Sequence, residues 1–155
     1  RDAWRVADLL KEKDIAVIID GVHVTPARRW EGYDTPFTNA LKLYQAGVRF
    51  CISDGGGAAP QRNLPYHAAT AAAFGLPREE ALKAVTLYPA QILGVADRVG
   101  SIEVGKDATL IVTDGDPLEI TTQVEREFIQ GRDIDLGSRH TQLYAKYKAK
   151  YQQLR

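Results

Sequence analysis

The sequence predicts an α/β fold with parallel strands, and the first third of the chain supplies the reasons. Two short apolar runs, residues 15–19 and 48–52, lack the alternation of a half-exposed strand, so each fits a strand buried on both faces. A helical apolar pattern over residues 37–46 separates them. Two strands that are connected by a crossover helix pair in parallel and form a βαβ unit. A doubly wound sheet and a (β/α) barrel both contain this unit, and the residues alone leave both open.

The elements of this first part follow from their apolar spacing and their turn residues. They are an amphipathic helix, a strand, a polar loop, a helix that Gly47 ends, and a second strand: residues 1–14, 15–19, 25–35, 37–46 and 48–52. The first strand runs into a turn that starts at Asp20, and the second runs into Asp54. Each strand therefore ends on a carboxylate.

The middle of the chain is predicted to be helical, and the part after it is predicted to be rich in strands. Three helices are predicted in the middle, at residues 64–74, 77–85 and 89–93, the first of them rich in alanine and expected to pack closely against its neighbours. After about residue 95, glycines punctuate short strands, one at 108–112 and a hairpin at 128–134 around Gln130 and Gly131. A tail helix follows over residues 138–154. Its apolar face carries Leu143, Tyr144, Tyr147, Tyr151 and Leu154, and its lysines are expected to face solvent.

Composition restricts the possible partners. The 155 residues suit one ordinary domain, and 20 lysines and arginines balance 20 acids. A net charge of zero gives no reason to expect nucleic acid or an acidic membrane surface as partner. No apolar run is long enough to span a bilayer. The single cysteine, Cys51, lies in a predicted strand and is expected to be a buried core residue.

Asp54 is the first candidate functional residue. Ligands bind at the carboxyl ends of the strands in parallel α/β folds, so a carboxylate there is a candidate metal ligand or general base. The alternative is that Asp54 only caps the following turn, as aspartate often does. Three glycines follow it, but they lack the lysine of a phosphate loop, and no dinucleotide-binding glycine pattern follows either strand.

Three stretches resemble the C-terminal part of amidohydrolase-superfamily proteins, nearest to the imidazolonepropionase branch. They are Ala-Gly-Val leading to Ser-Asp in residues 46–54, EALKAVTLYPAQILG in residues 80–94, and GSIEVGKDATLIV in residues 100–112. The resemblance covers most of the chain from about residue 14 to residue 135. The sequence departs from the family pattern after Asp54, where it has three glycines and two alanines.

The resemblance implies a fold and a division of the chain. The expected fold is α/β: the C-terminal part of a (β/α)₈ TIM-type barrel, followed by a small β-rich sandwich segment and a C-terminal helix. The corresponding ranges are 1–94, 95–137 and 138–155. Because the chain opens on Arg1 and contains no methionine, we also expect a processed or excised piece of a longer protein. Cytoplasmic and periplasmic locations both stay open.

The resemblance also implies an activity and a cofactor. Family members hydrolyse C–N bonds of amides and cyclic amides with a divalent metal, zinc being the ion expected here. Of the family's metal ligands only the aspartate after the eighth strand is carried over, onto Asp54, as metal ligand and proton carrier. The sequence has no His-x-His pair, so this chain alone is expected to be inactive and to bind no metal tightly.

Three further residues are expected to contact a substrate, each with a structural alternative. His23 follows the first strand and would face the substrate or be an ordinary loop residue. Arg62 and Asn63 follow Asp54 and would contact the substrate or cap the next helix. His67 is expected to be a core or surface residue, and His140 to be structural or exposed.

The expected partners are a small amide or peptide-like substrate, with no nucleic acid and no membrane, and either a second copy of the chain or a missing N-terminal half. Two rival hypotheses stay open. One is a relative that has lost its metal site and acts as a binding or structural domain. The other, a flavodoxin-like domain, fits poorly with the segment at residues 100–112.

Overall fold

A computed structural model describes residues 2–57 and 59–153. The elements in chain order are a 3₁₀ turn at Ala3–Val6, α1 at Ala7–Glu12, β1 at Val17–Asp20, α2 at Thr35–Ala46, β2 at Phe50–Ser53, a 3₁₀ turn at Pro60–Asn63, α3 at Leu64–Ala73, α4 at Arg78–Lys83, α5 at Leu87–Ile92, β3 at Leu110–Thr113, β4 at Val124–Ile129, β5 at Arg132–Ile134 and α6 at Arg139–Gln153. Apart from the first helix, the predicted elements all appear, with ends displaced by a few residues.

The two strands β1 and β2 are parallel, as predicted. Val17 is opposite Phe50 and Asp20 is opposite Ser53, and α2 connects the strands. Pairing starts where the Val17 N–H donates to the Arg49 carbonyl at 2.9 Å, so both strands begin about two residues later than the apolar runs. The βαβ unit brings the carboxyl ends of the two strands to the same edge.

Helix α2 ends at Gly47, as the sequence predicts. Gly47 adopts φ 70°, which only glycine reaches without strain, and its N–H donates to the carbonyl of Tyr44. The next N–H, of Val48, donates to the carbonyl of Leu43. This pair of hydrogen bonds is a Schellman motif, and it directs the chain straight into β2.

The prediction of one amphipathic helix at residues 1–14 needs a correction. The segment is a 3₁₀ turn followed by the short helix α1, and its buried residue is Ala7. Val6 and Leu9 are 50% and 52% exposed, so the predicted apolar face is largely uncovered. Helical spacing identified the helix, but it could not show which neighbours would be present to cover that face.

The core lies between the sheet and helices α2 to α4. Its most completely buried side chains are Val22, Ala40, Leu43, Phe50, Ala68, Ala71, Leu76, Ala81 and Ala84. The alanine-rich α3 packs closely, as expected, because small side chains let helices approach. The Ile52 N–H, on the edge of β2 that faces away from β1, donates to the Ala84 carbonyl at 2.9 Å. The end of α4 thus covers part of that edge.

Leu43 provides a test of this core. Its side chain is fully buried beneath the sheet, so Leu43→Ala is expected to lower the free energy of unfolding by about 2–5 kcal/mol through lost burial and the remaining cavity. Leu93→Ala is the matched control, since Leu93 is 71% exposed, and it should change stability by about 0.5 kcal/mol or less. Denaturant titration measures both. Equal effects of the two substitutions would contradict this description of the core.

Tyr88 and Glu80 form a partly buried hydrogen-bonded pair beside β2. The Tyr88 hydroxyl donates to Glu80 Oε2, and Lys83 contributes a second contact at 3.1 Å. The Tyr88 hydrogen bond, helped by Lys83, lowers the pKa of Glu80 below its ordinary value of 4.5, whereas burial opposes the shift. Burial and the carboxylate together raise the pKa of Tyr88 to about 12.

We expect Tyr88→Phe to be destabilising at neutral pH by about 1.5–3 kcal/mol, the usual range for a hydrogen bond to a charged group. Because the pKa of Glu80 is lowered in the folded protein, this stabilisation is fully present above pH 4.5. It is lost as the pH falls through the lowered value. The difference between wild type and Tyr88→Phe should therefore shrink below pH 4.5 in chemical denaturation. Tyr33→Phe, at a tyrosine that is 76% exposed, is the control, and a gap that stays constant with pH would contradict the assignment.

Cys51 is buried in β2, as predicted, and burial raises the pKa of its thiol. We therefore expect slow reaction with thiol reagents in the folded protein, because the thiolate is the reactive form. A Cys51→Ser, Ala145→Cys double substitution moves the thiol to the exposed helix α6 and should react rapidly. Labelling of wild type at the rate of that variant, without denaturant, would show that β2 is exposed.

The β-rich part forms one antiparallel sheet in the order β3-β4-β5. The predicted hairpin is confirmed: Gln130 and Gly131 connect β4 and β5 with φ values of 51° and 77°, as a type I′ turn requires. The loop after β3 returns to the helices, where Leu118 is 3% exposed. Arg78 also forms ion pairs with Asp116 and Glu119 at 2.5 and 2.6 Å. The β-rich part is thereby held against α3 and α4.

Helix α6 starts with a reciprocal cap. The Thr141 N–H donates to Ser138 Oγ at 3.2 Å, and the Ser138 N–H donates to Thr141 Oγ1 at 2.9 Å. Every described residue of the helix is exposed, including Tyr144, Tyr147 and Tyr151, so the lysines face solvent as expected. Leu154, also predicted on the apolar face, lies outside the described residues. Among the described helices, none has the length and hydropathy needed to cross a membrane.

Candidate functional site

Asp54 lies directly after β2, where the neighbouring β1 also ends. Its Oδ1 accepts the Gly56 N–H at 3.0 Å, so one oxygen does cap the turn. Gly55 and Gly56 adopt φ values of 88° and 83°, which explains the glycines in this turn. The second oxygen, Oδ2, is buried and has no hydrogen-bond partner among the described residues. The carboxylate is thus held by one oxygen and has the other free for a ligand.

A cavity of about 510 Å³ adjoins Asp54. Its walls come from β1, from β2, from the segment that leads into α3 and from α5 with the turn before it. Most of the lining residues are apolar: Ile18, Cys51, Ile52, Ser53, Gln61, Leu64, Val85, Pro89, Ile92 and Leu93. Asp54 is the charged residue in this lining. A carboxylate with a free oxygen at the edge of an apolar cavity suits a small polar ligand.

His67 on α3 is only 5% exposed, and the charge of Asp54 acts on its ring. Its Nδ1 accepts the Val22 N–H at 2.8 Å and the His23 N–H at 3.3 Å, so the ring is neutral with its proton on Nε2. Burial and the neighbouring His23 lower the pKa of His67, and Asp54 acts in the opposite direction. The expectation of a core histidine agrees with this position. Because Nδ1 is engaged by backbone, it is not a metal ligand in this arrangement.

His23 is exposed at the end of β1. Its ring stacks on the His67 ring, with centroids 4.2 Å apart and planes 27° apart. Its Nε2 is 2.7 Å from Thr70 Oγ1, one helical turn beyond His67 on α3. The structure therefore brings His23 against His67 and Thr70 of α3, and the predicted substrate contact stays a prediction.

Arg62 and Asn63 lie in the 3₁₀ turn between Asp54 and α3. Asn63 immediately precedes α3, but its side chain makes no capping hydrogen bond, so the structural alternative of a helix cap is not realised by that side chain. Their neighbour Gln61 lines the cavity beside Asp54, and neither Arg62 nor Asn63 does. Their proposed contact with a substrate stays a prediction.

Asp20 and Thr70 are site residues that the sequence reasoning did not select. Asp20 ends β1 opposite Ser53, and it lines a second cavity of about 400 Å³ together with Gly21, Gly55 and Glu31. Asp20 ends its strand much as Asp54 follows β2, so its position at a strand end was a usable signal in the sequence. Thr70 had no such signal, because only the packing of α3 against the β1 loop shows that it meets His23.

The candidate donor atoms supply only a part of a metal site. Within residues 2–57 and 59–153, no group of three or more His, Cys, Asp or Glu side chains is arranged to hold one. Asp54 Oδ2, buried and unpartnered, fits one ligand position. A catalytic zinc takes about three protein ligands plus water, so these residues fit a part of such a site.

The family of this chain follows from its similarity to known proteins. The amidohydrolase family model matches residues 7–132, and the chain belongs to that family. A crystal structure of an amidohydrolase from Thermotoga maritima MSB8 is similar over 86% of this chain and 35% of its own, with 34% identity and a TM-score of 0.73. The family prediction from the sequence is therefore confirmed.

Two further relatives show how much of such proteins the chain represents. It is 31% identical to an imidazolonepropionase from Flavobacterium psychrophilum over 64% of this chain and 26% of that protein. An adenosine deaminase from Xanthomonas campestris with bound zinc shares the fold over 96% of this chain and 39% of its own, with 23% identity and a TM-score of 0.60. The chain thus spans between about a quarter and two fifths of these relatives.

Proposed function

We propose that this chain supplies the last strands and part of the active site of a metal-dependent hydrolase that cleaves C–N bonds of amides or cyclic amides. Membership of the amidohydrolase family supports the class of reaction. The observation that carries the assignment to a residue is the buried, unpartnered Oδ2 of Asp54 at the carboxyl end of β2. A carboxylate oxygen removed from water and left without a partner is costly unless something binds it.

Asp54 would have two roles. When bound, a divalent ion, with zinc expected, would lower the pKa of its water to about 7. Asp54 would bind this ion through Oδ2, accept a proton from the attacking water and return it to the nitrogen that leaves. The hydrogen bond from Gly56 would keep the carboxylate oriented during the transfer. His23 at the end of β1, with Arg62 and Asn63 after Asp54, would contact the substrate.

The other metal ligands would come from polypeptide outside these residues. The chain covers a minority of each relative, and among the described residues β1 pairs on one side only, with β2. Ile18 in β1 is 57% exposed although it faces the side where a barrel interior would be. We place residues 1–94 as the last part of a TIM-type barrel, 95–137 as part of a β-sandwich and 138–155 as a terminal helix. An N-terminal half or a second copy would complete the site.

A second candidate function is binding without catalysis. The observation that favours it is that Asp54 Oδ1 is already engaged by the glycine turn, and that the described residues contain no complete ligand set. A relative without its metal could use the apolar cavity beside Asp54 to bind a small molecule.

Purified intact protein separates the two. We expect about one or two metal ions per active site by elemental analysis, and hydrolysis of at least one compound from a panel of N-acyl amino acids, N-acyl amino sugars, dipeptides and cyclic amides. Chelation should remove both metal and activity, and zinc should restore both. Metal-free protein that binds a panel compound without cleaving it, before and after zinc is added, would favour the binding function.

A further inference from the structure

Helix α3 contacts the loop that follows β1, although in the chain it follows β2, the strand that leads to Asp54. The contact is made by one side chain: His67 Nδ1 accepts the backbone N–H groups of both Val22 and His23, at 2.8 and 3.3 Å. Val22 is fully buried and His67 is 5% exposed, so water cannot easily replace these bonds. A buried N–H group that loses its acceptor lowers the stability of the fold. This acceptor therefore fixes the position of the loop.

The same helix also fixes the ring of His23. The imidazole stacks on His67 at 4.2 Å between centroids, and its Nε2 meets Thr70 Oγ1 at 2.7 Å. Residues 67 and 70 are three apart on α3 and therefore share one face of the helix. Gly21 adopts φ 78°, which glycine reaches without strain, and a Cβ atom at that position would make ordinary van der Waals contact with the His67 ring at 3.6 Å. The backbone and the ring of His23 are thus both held from α3.

We propose that His67 is a positioning residue, which orients the His23 imidazole at the strand ends beside Asp54 by accepting two backbone N–H groups and stacking on the ring. The inference rests on the proposed function in one respect, the contact of His23 with substrate. His67 itself does not touch the reacting atoms. Its effect passes through His23, and Thr70 supports the same ring from the next turn.

Two substitutions separate the acceptor from the ring. His67→Asn keeps an acceptor atom at the same distance from the backbone as Nδ1, because Oδ1 of asparagine is also attached to Cγ. His67→Phe keeps an aromatic ring for stacking but has no acceptor. Thr70→Val removes the hydroxyl contact at nearly constant volume and leaves the two backbone hydrogen bonds intact. All three are made in the intact protein, and circular dichroism and thermal unfolding verify that each is folded.

The first readout is amide hydrogen exchange of Val22 and His23 by NMR. His67→Phe should accelerate exchange at both amides by about tenfold or more, as loss of one hydrogen bond of about 1.4 kcal/mol implies. His67→Asn should stay within about threefold of wild type, and Thr70→Val should leave both amides protected. Unchanged exchange in His67→Phe, or full loss of protection in His67→Asn, would overturn the proposal. If His67→Phe does not fold, ¹⁵N shifts of the wild-type ring decide: a protonated Nδ1 overturns the proposal, and an unprotonated Nδ1 supports it.

The second readout is hydrolysis of the best compound from the amide panel. His67→Phe should lower kcat by about 10–100-fold with KM within about threefold, since a displaced group affects the transition state most. His67→Asn should recover most of that loss, which a general loss of stability would not explain. A fall in kcat that asparagine does not rescue overturns the positioning role. If wild type hydrolyses no compound, the proposed function fails, and the exchange measurement still decides on His67.

Discussion

Asp54→Asn is expected to lower kcat/KM of the intact protein by about 10²–10⁴-fold, the range that general acid–base groups contribute. Asparagine keeps the size of the side chain and an oxygen that can accept the Gly56 N–H. It has no negative charge for a metal ion and no site for the transferred proton. The expected result is therefore loss of activity together with reduced metal content, with thermal stability close to wild type. Steady-state kinetics, elemental analysis and thermal unfolding measure the three quantities.

Asp20→Asn is the matched control for this prediction. Asp20 also ends a parallel strand, and it lies opposite Ser53, the residue before Asp54. It differs in being exposed at the end of β1, whereas Asp54 has a buried free oxygen. Asp20→Asn should leave the metal content unchanged and affect kcat/KM far less than Asp54→Asn does. Equal losses of metal from both variants would show that the two carboxylates act together, and that the assignment to Asp54 alone is wrong.

The fold could be predicted from the sequence where local signals and tertiary packing agree. The apolar runs around Ile19 and Ile52 predicted two strands, and the helix between them requires a parallel crossover. Burial on both faces was predicted for both strands; it holds for β2 but not for β1, where Ile18 is 57% exposed. Gly47 and Gly131 lie at positions of positive φ, where glycine has a clear advantage, so both turns were predictable. The first helix was predicted less well, because Val6 and Leu9 are about half exposed in the described structure, whereas Leu10 packs against the core.

The site could be predicted only in part, and the reason is physical. Asp54 could be found because its position follows from sequence order: strand, carboxylate, glycine turn. The role of His67 could not be found in this way, because it depends on α3 packing against the loop after β1, 45 residues earlier in the chain. A histidine on an alanine-rich helix gives no sign of which backbone groups it will meet. Long-range hydrogen bonds of this kind are set by tertiary structure and leave no local pattern.

The same geometry explains why Asp54 and the His23 loop are positioned together. Both lie at the carboxyl ends of paired strands, so the sheet fixes their separation, and α3 then fixes the loop. The rest of a metal site would need further ligands on the open side of β1, where a third strand would pair. In this proposal, the same additional strand would therefore pair with the open edge of β1 and bring the missing ligands to the active site.

The 155-residue chain on its own is therefore expected to hold no stoichiometric catalytic metal and to hydrolyse no amide. Asp54 provides one ligand, and one carboxylate does not retain zinc against water and buffer. We also expect self-association, since the outer edge of β1 has no neighbouring strand in the described sheet and Ile18 beside it is 57% exposed. Unpaired strand edges next to exposed apolar side chains pair readily with other chains.

The measurement is dialysis of the purified chain with zinc, followed by elemental analysis and by sedimentation or light scattering. Asp54→Asn is the control for weak binding: it should show the same low zinc content as the unsubstituted chain, because neither has a complete site. A stable monomer with one zinc ion per chain would contradict the prediction. It would mean that His23, His67 or His140 joins Asp54 as ligand, which for His67 would require its Nδ1 to release the two backbone N–H groups or its Nε2 to lose its proton. Zinc content that falls in His23→Ala or His140→Ala would then identify the additional ligand.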